Sequence, residues 1–171
     1  MQRLMFSNRA IMLSMLGFLY VLNGNSQVRS ILPPSQSAVK VIVKQDLQIG
    51  AFAQGSAGGT IQLMPDGSRH SSGTVIPLNF GAAYMPLILE IEGPKGSVIS
   101  ILEESTVLTG SNGGSMKLKL RNSQPAMPFI IMEDAPAKSI VTIGAELTAG
   151  NMVQSPPGNY SGNLAISFVV E

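Results

Sequence analysis

The chain contains no cysteine and no tryptophan, one histidine among 171 residues, and few aromatic or charged side chains, 5% and 12% respectively. Without cysteine there is no disulfide, no thiolate, no sulfur ligand for a metal and no lipobox to carry a lipid anchor. His70 is the lone imidazole, set among serines, and a single nitrogen donor with no cysteine beside it cannot build a zinc site. No serine stands in a nucleophile elbow and no metal ligands cluster in the chain. These absences leave no catalytic residue, no metal site and no cofactor to nominate, so an enzyme is not the expected class.

What is present begins with a leader. Arg3 and Arg9 make a basic start, Ala10 to Leu22 is an apolar run broken by Ser14, and Gly24 and Ser26 are small residues before Gln27. That order predicts a secretory signal peptide over residues 1–26. The apolar run is too short for the roughly 20 residues that a bilayer core requires, so no transmembrane span is expected in the mature form. Residues 27–171 carry nine basic and ten acidic side chains, a balance with no footprint for nucleic acid. Export without disulfides suits a bacterial periplasm, cell surface or extracellular space.

Residues 27–37, with Pro33, Pro34 and several serines, predict a flexible mature tail. From residue 38 onward the period is two. Val39, Val41 and Val43 alternate with Lys40, Ile42 and Lys44, and Asp46 to Phe52 predicts a second short strand. Gly55 to Gly59 predicts a turn rather than a phosphate cradle, because Thr60 to Met64 behind it reads as a strand. Pro65-Asp66-Gly67-Ser68 predicts a tight turn, His70 a position in the connection, and Gly73 to Leu78 the next strand. Leu87, Leu89 and Ile91 alternate with Ile88, Glu90 and Glu92 before a turn at Gly93-Pro94-Lys95-Gly96.

Two carboxylates at i and i+2 share a face, as a glycosidase pair does. Their wet side predicts instead a solvated sheet face that pairs with the cations Lys117, Lys119 and Arg121, which stand opposite Met116, Leu118 and Leu120. Short strands are expected at Ser97 to Leu102, Thr106 to Thr109 and Met127 to Met132, then at Lys138 to Leu147. The last strand is the clearest, with Tyr160, Leu164, Ile166, Phe168 and Val170 on one parity. No window of eleven residues in 27–171 holds an apolar stripe of period 3.6 free of glycine and proline. The expected fold is therefore all-β, a single antiparallel sandwich or barrel over residues 38–171.

Several segments in order carry a family resemblance. They are Leu47-Gln48-Ile49-Gly50-Ala51-Phe52, Gly58-Gly59-Thr60-Ile61, Pro65-Asp66-Gly67-Ser68-Arg69, Glu92-Gly93-Pro94-Lys95-Gly96-Ser97-Val98-Ile99-Ser100-Ile101, Ile143-Gly144-Ala145-Glu146-Leu147 and Pro157-Gly158-Asn159-Tyr160-Ser161-Gly162. The set resembles an uncharacterised family of exported bacterial β-domains, catalogued as a domain of unknown function, and covers Leu47 to Glu171. That family is distantly similar to spore coat U-like proteins and chaperone–usher fimbrial subunits. The resemblance implies an incomplete immunoglobulin-like sandwich whose missing strand comes from another chain. Gly158 matches the glycine that such subunits carry near the end. Val170 stands where they carry tyrosine, and their common disulfide is absent.

Two functional expectations follow. The first is an exported structural or surface protein, fimbrial-like, that pairs strand edges with other subunits or a periplasmic chaperone. Its candidate strand donor is Val39, Val41 and Val43, unless that strand pairs within its own domain. Its candidate acceptor edge is Leu164, Ile166, Phe168 and Val170. The alternative is a carbohydrate- or ligand-binding module, with Phe80 and Tyr84 lining a loop site, although core filling is the stronger use of so few aromatics.

Overall fold

A computed structural model describes residues 38–102 and 104–171. The signal peptide and the mature tail expected over residues 1–37 lie outside the described residues. In chain order the strands are β1 (Lys40–Gln45), β2 (Phe52–Leu63), β3 (Arg69–Pro77), β4 (Leu87–Glu92), β5 (Val98–Ile101), β6 (Ser105–Gly110), β7 (Ser115–Gln124), β8 (Phe129–Ile130), β9 (Ser139–Ala149), β10 (Tyr160–Ser161) and β11 (Phe168–Val170). Among the described residues there is no helix, and every ladder between strands is antiparallel.

Alternation decides which side chains face inward. In β4 Leu87, Leu89 and Ile91 are buried, while Ile88, Glu90 and Glu92 are half-buried. In β7 Met116, Leu118 and Leu120 are buried and Lys117 is exposed. The larger sheet has the order β1-β4-β9-β7-β6-β10, with β2 joined to β9 and β3 to β2; the smaller has the order β11-β5-β8. One apolar core draws on both, with Leu89, Ile91, Val141 and Leu147 from the larger sheet and Ile99 and Phe129 from the smaller. Burying each such side chain is worth about 1.5–3 kcal/mol.

The hub of the larger sheet is β9. One of its edges pairs with β7 from Met116 to Gln124; the other pairs with β4 at Ser139–Ile143 and with β2 at Ala145–Ala149. Gly144 stands at the change of partner, where a Cβ would lie 2.3 Å from the Leu63 carbonyl oxygen. Only glycine permits that approach.

Four local expectations are corrected. Gly55 to Gly59 is not a turn between strands but a bulge within β2, since Gln54 and Gly59 are successive partners of β3. A Cβ on Gly59 would sit 2.1 Å from the Ser72 carbonyl oxygen, so the bulge depends on a bare backbone there. His70 is not in a connection but in β3, exposed and opposite Gln62. The hairpin closes tightly, with Met64 N–H donating to Ser68 O at 2.8 Å and Ser68 N–H to Asp66 Oδ1 at 2.8 Å, so pairing resumes at once.

Glu90 pairs with Lys138 at 2.9 Å and Lys44 at 3.5 Å rather than with the β7 cations, because β9 lies between β4 and β7. Arg121 instead meets Glu146 at 3.4 Å. Finally, the terminal strand is interrupted. Its start pairs with β6 and its end with β5, and Gly162 to Ser167 carry no ladder. Its two partners are successive strands, β5 ending at Ile101 and β6 starting at Ser105.

Candidate functional site

The interruption of the terminal strand borders an opening to the core. A groove of about 1040 Å³ runs between residues 46–54, joined by Ala82 and Ala83, and residues 156–164 with Ile166. Leu87, Leu108, Met116, Leu118 and Leu147 also line it, and all of these belong to the core cluster or pack against it.

The two walls are held separately. Residues 155–160 are laced to the β6–β7 hairpin: Ser111 N–H donates to Asn159 O at 2.8 Å, Asn112 Nδ2 to Pro157 O at 2.8 Å, and Ser155 Oγ to Ser115 O at 2.7 Å. Tyr160 Oη donates to Pro156 O at 2.6 Å, and the Tyr160 ring lies where a Cβ on Gly110 would meet it at 2.8 Å. The opposite wall is tied by reciprocal bonds between Gln48 and Met85, 2.9 and 2.8 Å, and by Leu78 N–H to Ala51 O at 2.9 Å. Gln54 Nε2 donates to Gly150 O, linking β2 to the loop after β9.

Between the fixed points the terminal segment is underused. Ser167 O accepts from Leu102 N–H at 3.1 Å and Asn163 O from Thr106 Oγ1 at 2.8 Å. No backbone N–H from Gly162 to Ser167 has a main-chain acceptor among the described residues. Six such residues span about 20 Å of extended chain. Leu164 and Ile166 are half-buried against the core, while Asn163, Ala165 and Ser167 are exposed. A sheet edge whose donors lack main-chain acceptors among the described residues, beside an open groove that reaches core side chains, is what an added strand requires.

The sequence profile of a domain of unknown function, DUF4402, matches residues 39–169. The chain belongs to the DUF4402 family. No curated protein and no solved structure matches it.

The residues nominated from sequence fall in different parts of this DUF4402 domain. Val41 and Val43 lie in β1, opposite Ile91 and Leu89 of β4 in the same chain. Val39 and Val41 pack on the core, whereas Val43 lines the groove. Leu164 and Ile166 form part of the groove's far wall; Phe168 and Val170 are taken up by pairing with Ile101 and Ile99 of β5. Phe80 is 72% exposed, but the Tyr84 ring lies under the Arg69 guanidinium, 3.9 Å from its centroid. The guanidinium thus takes up one face of the Tyr84 ring, which is 39% exposed. Asp46 to Phe52, expected as a strand from the alternation of Leu47, Ile49 and Ala51, is instead a linker up to Ala51 with one isolated bridge at Gln48, and the sequence reading did not foresee it as a groove wall.

Among the described residues, Asp46 is the one carboxylate lining the groove. No group of three His, Cys, Asp or Glu able to hold a metal occurs among the described residues. No helix of those residues is long and apolar enough to cross a membrane. The ionic groups cluster on the outer face, where the hydrogen bond from Lys138, then the charges of Lys138 and Lys44, hold the Glu90 carboxyl below its ordinary range. The same contact raises the Lys138 ammonium.

Proposed function

We propose that the protein is an exported, non-enzymatic structural or surface β-domain, an immunoglobulin-like sandwich one strand short, whose groove accepts a strand from another chain. The observation that carries this reading is the run from Gly162 to Ser167, whose backbone donors have no main-chain acceptor among the described residues, bordering a groove that reaches core residues. An incoming strand would gain main-chain bonds worth about 0.5–1.5 kcal/mol each. It would also bury alternate apolar side chains, while its other side chains faced solvent. Because β1 is engaged in its own sheet, the proposal keeps the acceptor half of the fimbrial-like reading and assigns the donor to another subunit or a periplasmic chaperone; a free peptide of the β1 sequence, with Val39, Val41 and Val43 on one parity, stands in for that donor strand.

Site-directed disulfide trapping tests it, because the native chain holds no cysteine to interfere. Asn163, exposed on the stretch that carries no ladder, is replaced by cysteine (Asn163→Cys), and the purified protein is mixed with synthetic peptides of the Ala38–Gln45 sequence carrying one cysteine at successive positions. Peptide binding in the micromolar range, about −8 kcal/mol, is expected, with trapping confined to one or two positions of the peptide. Equal, slow trapping at every position would refute a defined register. An Ala83→Trp variant, which places bulk in the groove at an exposed lining residue, should abolish trapping.

A further inference from the structure

Arg69 is placed where the two ends of the β2–β3 hairpin come together. From the start of β3, its Nη1 donates to Ile49 O at 3.1 Å and Ala51 O at 3.2 Å, and its Nη2 to Leu78 O at 2.6 Å and Asn79 Oδ1 at 3.1 Å. The guanidinium plane also covers Tyr84. One side chain thus fastens the β1–β2 linker, the residues after β3 and the loop before β4, all of which build or support one wall of the groove. Its partners are uncharged oxygens, so the contact works through the fork of the guanidinium rather than through an ion pair. A lysine keeps the charge but cannot span four acceptors in fixed directions.

Gly50 is the counterpart on the wall. Its φ is +82°, and a Cβ there would lie 2.9 Å from Arg69 Nη1 and 3.0 Å from Tyr84 Cβ. The guanidinium can seat against the carbonyls on either side of residue 50 only because that residue has no side chain. The segment needs such a fastening, since between the bridge at Gln48 and the start of β2 no ladder holds Ile49 to Ala51.

We propose that Arg69, seated on Gly50 and Tyr84, is a positioning residue that keeps the groove preformed: it holds the wall at residues 49–51 away from the opposite wall without touching the incoming strand. This rests on the strand-accepting reading. Preorganisation matters because an interface that must order itself on binding loses affinity to that ordering.

The test compares the purified wild type with Arg69→Lys and Gly50→Ala in two measurements. The first is affinity for the Ala38–Gln45 peptide by fluorescence anisotropy; the second is amide exchange at Gln48, Leu78 and Met85 against that at Leu118, Leu120 and Val141 in the core. Both variants should bind the peptide at least tenfold more weakly, with faster exchange at the wall amides and unchanged exchange in the core. Wild-type affinity in Arg69→Lys overturns the proposal. So does exchange that rises equally at wall and core, because Arg69 would then be a general stabiliser. If the wild type itself binds no peptide, the strand-accepting reading fails, and the exchange comparison alone decides whether Arg69 fixes the wall.

Discussion

Gly144→Ala is the substitution that tests the architecture most severely with the fewest added atoms. The new methyl would be placed 2.3 Å from the Leu63 carbonyl oxygen and 3.2 Å from Met64 C and Pro65 Cδ. An ordinary contact needs about 1 Å more, so the end of β2 must move away from β9. It has little room to do so: Leu63, Ile61 and Ala145 are at most 1% exposed and closely packed. Overpacking of this kind costs about 1–3 kcal/mol. Against it stands the loss of unfolded-chain freedom on replacing glycine, about 0.4–1 kcal/mol. A 2.3 Å contact with backbone belongs to the upper half of that overpacking range, about 2–3 kcal/mol, so the net expectation is a destabilisation of about 1–2.6 kcal/mol, or a fall in Tm of roughly 3–10 °C for a domain of this size. Urea and thermal unfolding followed by far-UV circular dichroism measure it. A variant as stable as the wild type, or more so, would refute the claim that β9 changes partners across a bare backbone.

Ser155 is fully buried, donates to Ser115 O at 2.7 Å and accepts from Gly150 N–H at 3.0 Å. Ser155→Ala strands both groups and should lower the unfolding free energy by about 1–3 kcal/mol in urea titrations; an unchanged midpoint would contradict the role of Ser155 as anchor of the groove's far wall. The Glu90–Lys138 contact makes stability depend on pH at both extremes. A carboxyl depressed in the folded state stabilises above its ordinary pKa of 4.5, and that contribution is lost as pH falls through the folded value. An ammonium raised in the folded state stabilises fully below its ordinary 10.5, and that contribution is lost as pH rises through the folded value. Glu90→Gln should therefore flatten both limbs of a Tm-against-pH profile, and a profile of unaltered shape would contradict the pairing.

Much of this fold could be read in the residues, because half-buried strands write their burial into alternate positions. Parity alone points Leu87, Leu89 and Ile91, and Met116, Leu118 and Leu120, inward, and they are buried. Glycine was harder to read. Gly55 to Gly59 has the composition of a turn, yet β3 and β9 supply partners for Gly59 on its two sides and keep the stretch within a bent strand. Alternation also could not say how long a ladder runs: Tyr160 to Val170 keeps its parity throughout, but pairing depends on what lies alongside, and that neighbour is β6 at the start and β5 at the end. Parity misleads on the outer-face ion pairs for a related reason. Glu90 and the β7 cations have matching charge and parity, but the order β4-β9-β7 is set by contacts far apart in sequence. The groove was half legible, since Leu164 and Ile166 were nominated while the wall at residues 46–54 was not.

The most direct measurement of the central claim is amide exchange across Gly162 to Ser167, read residue by residue in the purified protein with and without the Ala38–Gln45 peptide. The account predicts rapid exchange there in the free protein and at least tenfold slowing on saturation, while the β4 and β9 amides are unaffected. Protection already present in the free protein, or exchange that the peptide leaves unchanged, would contradict a strand-accepting edge.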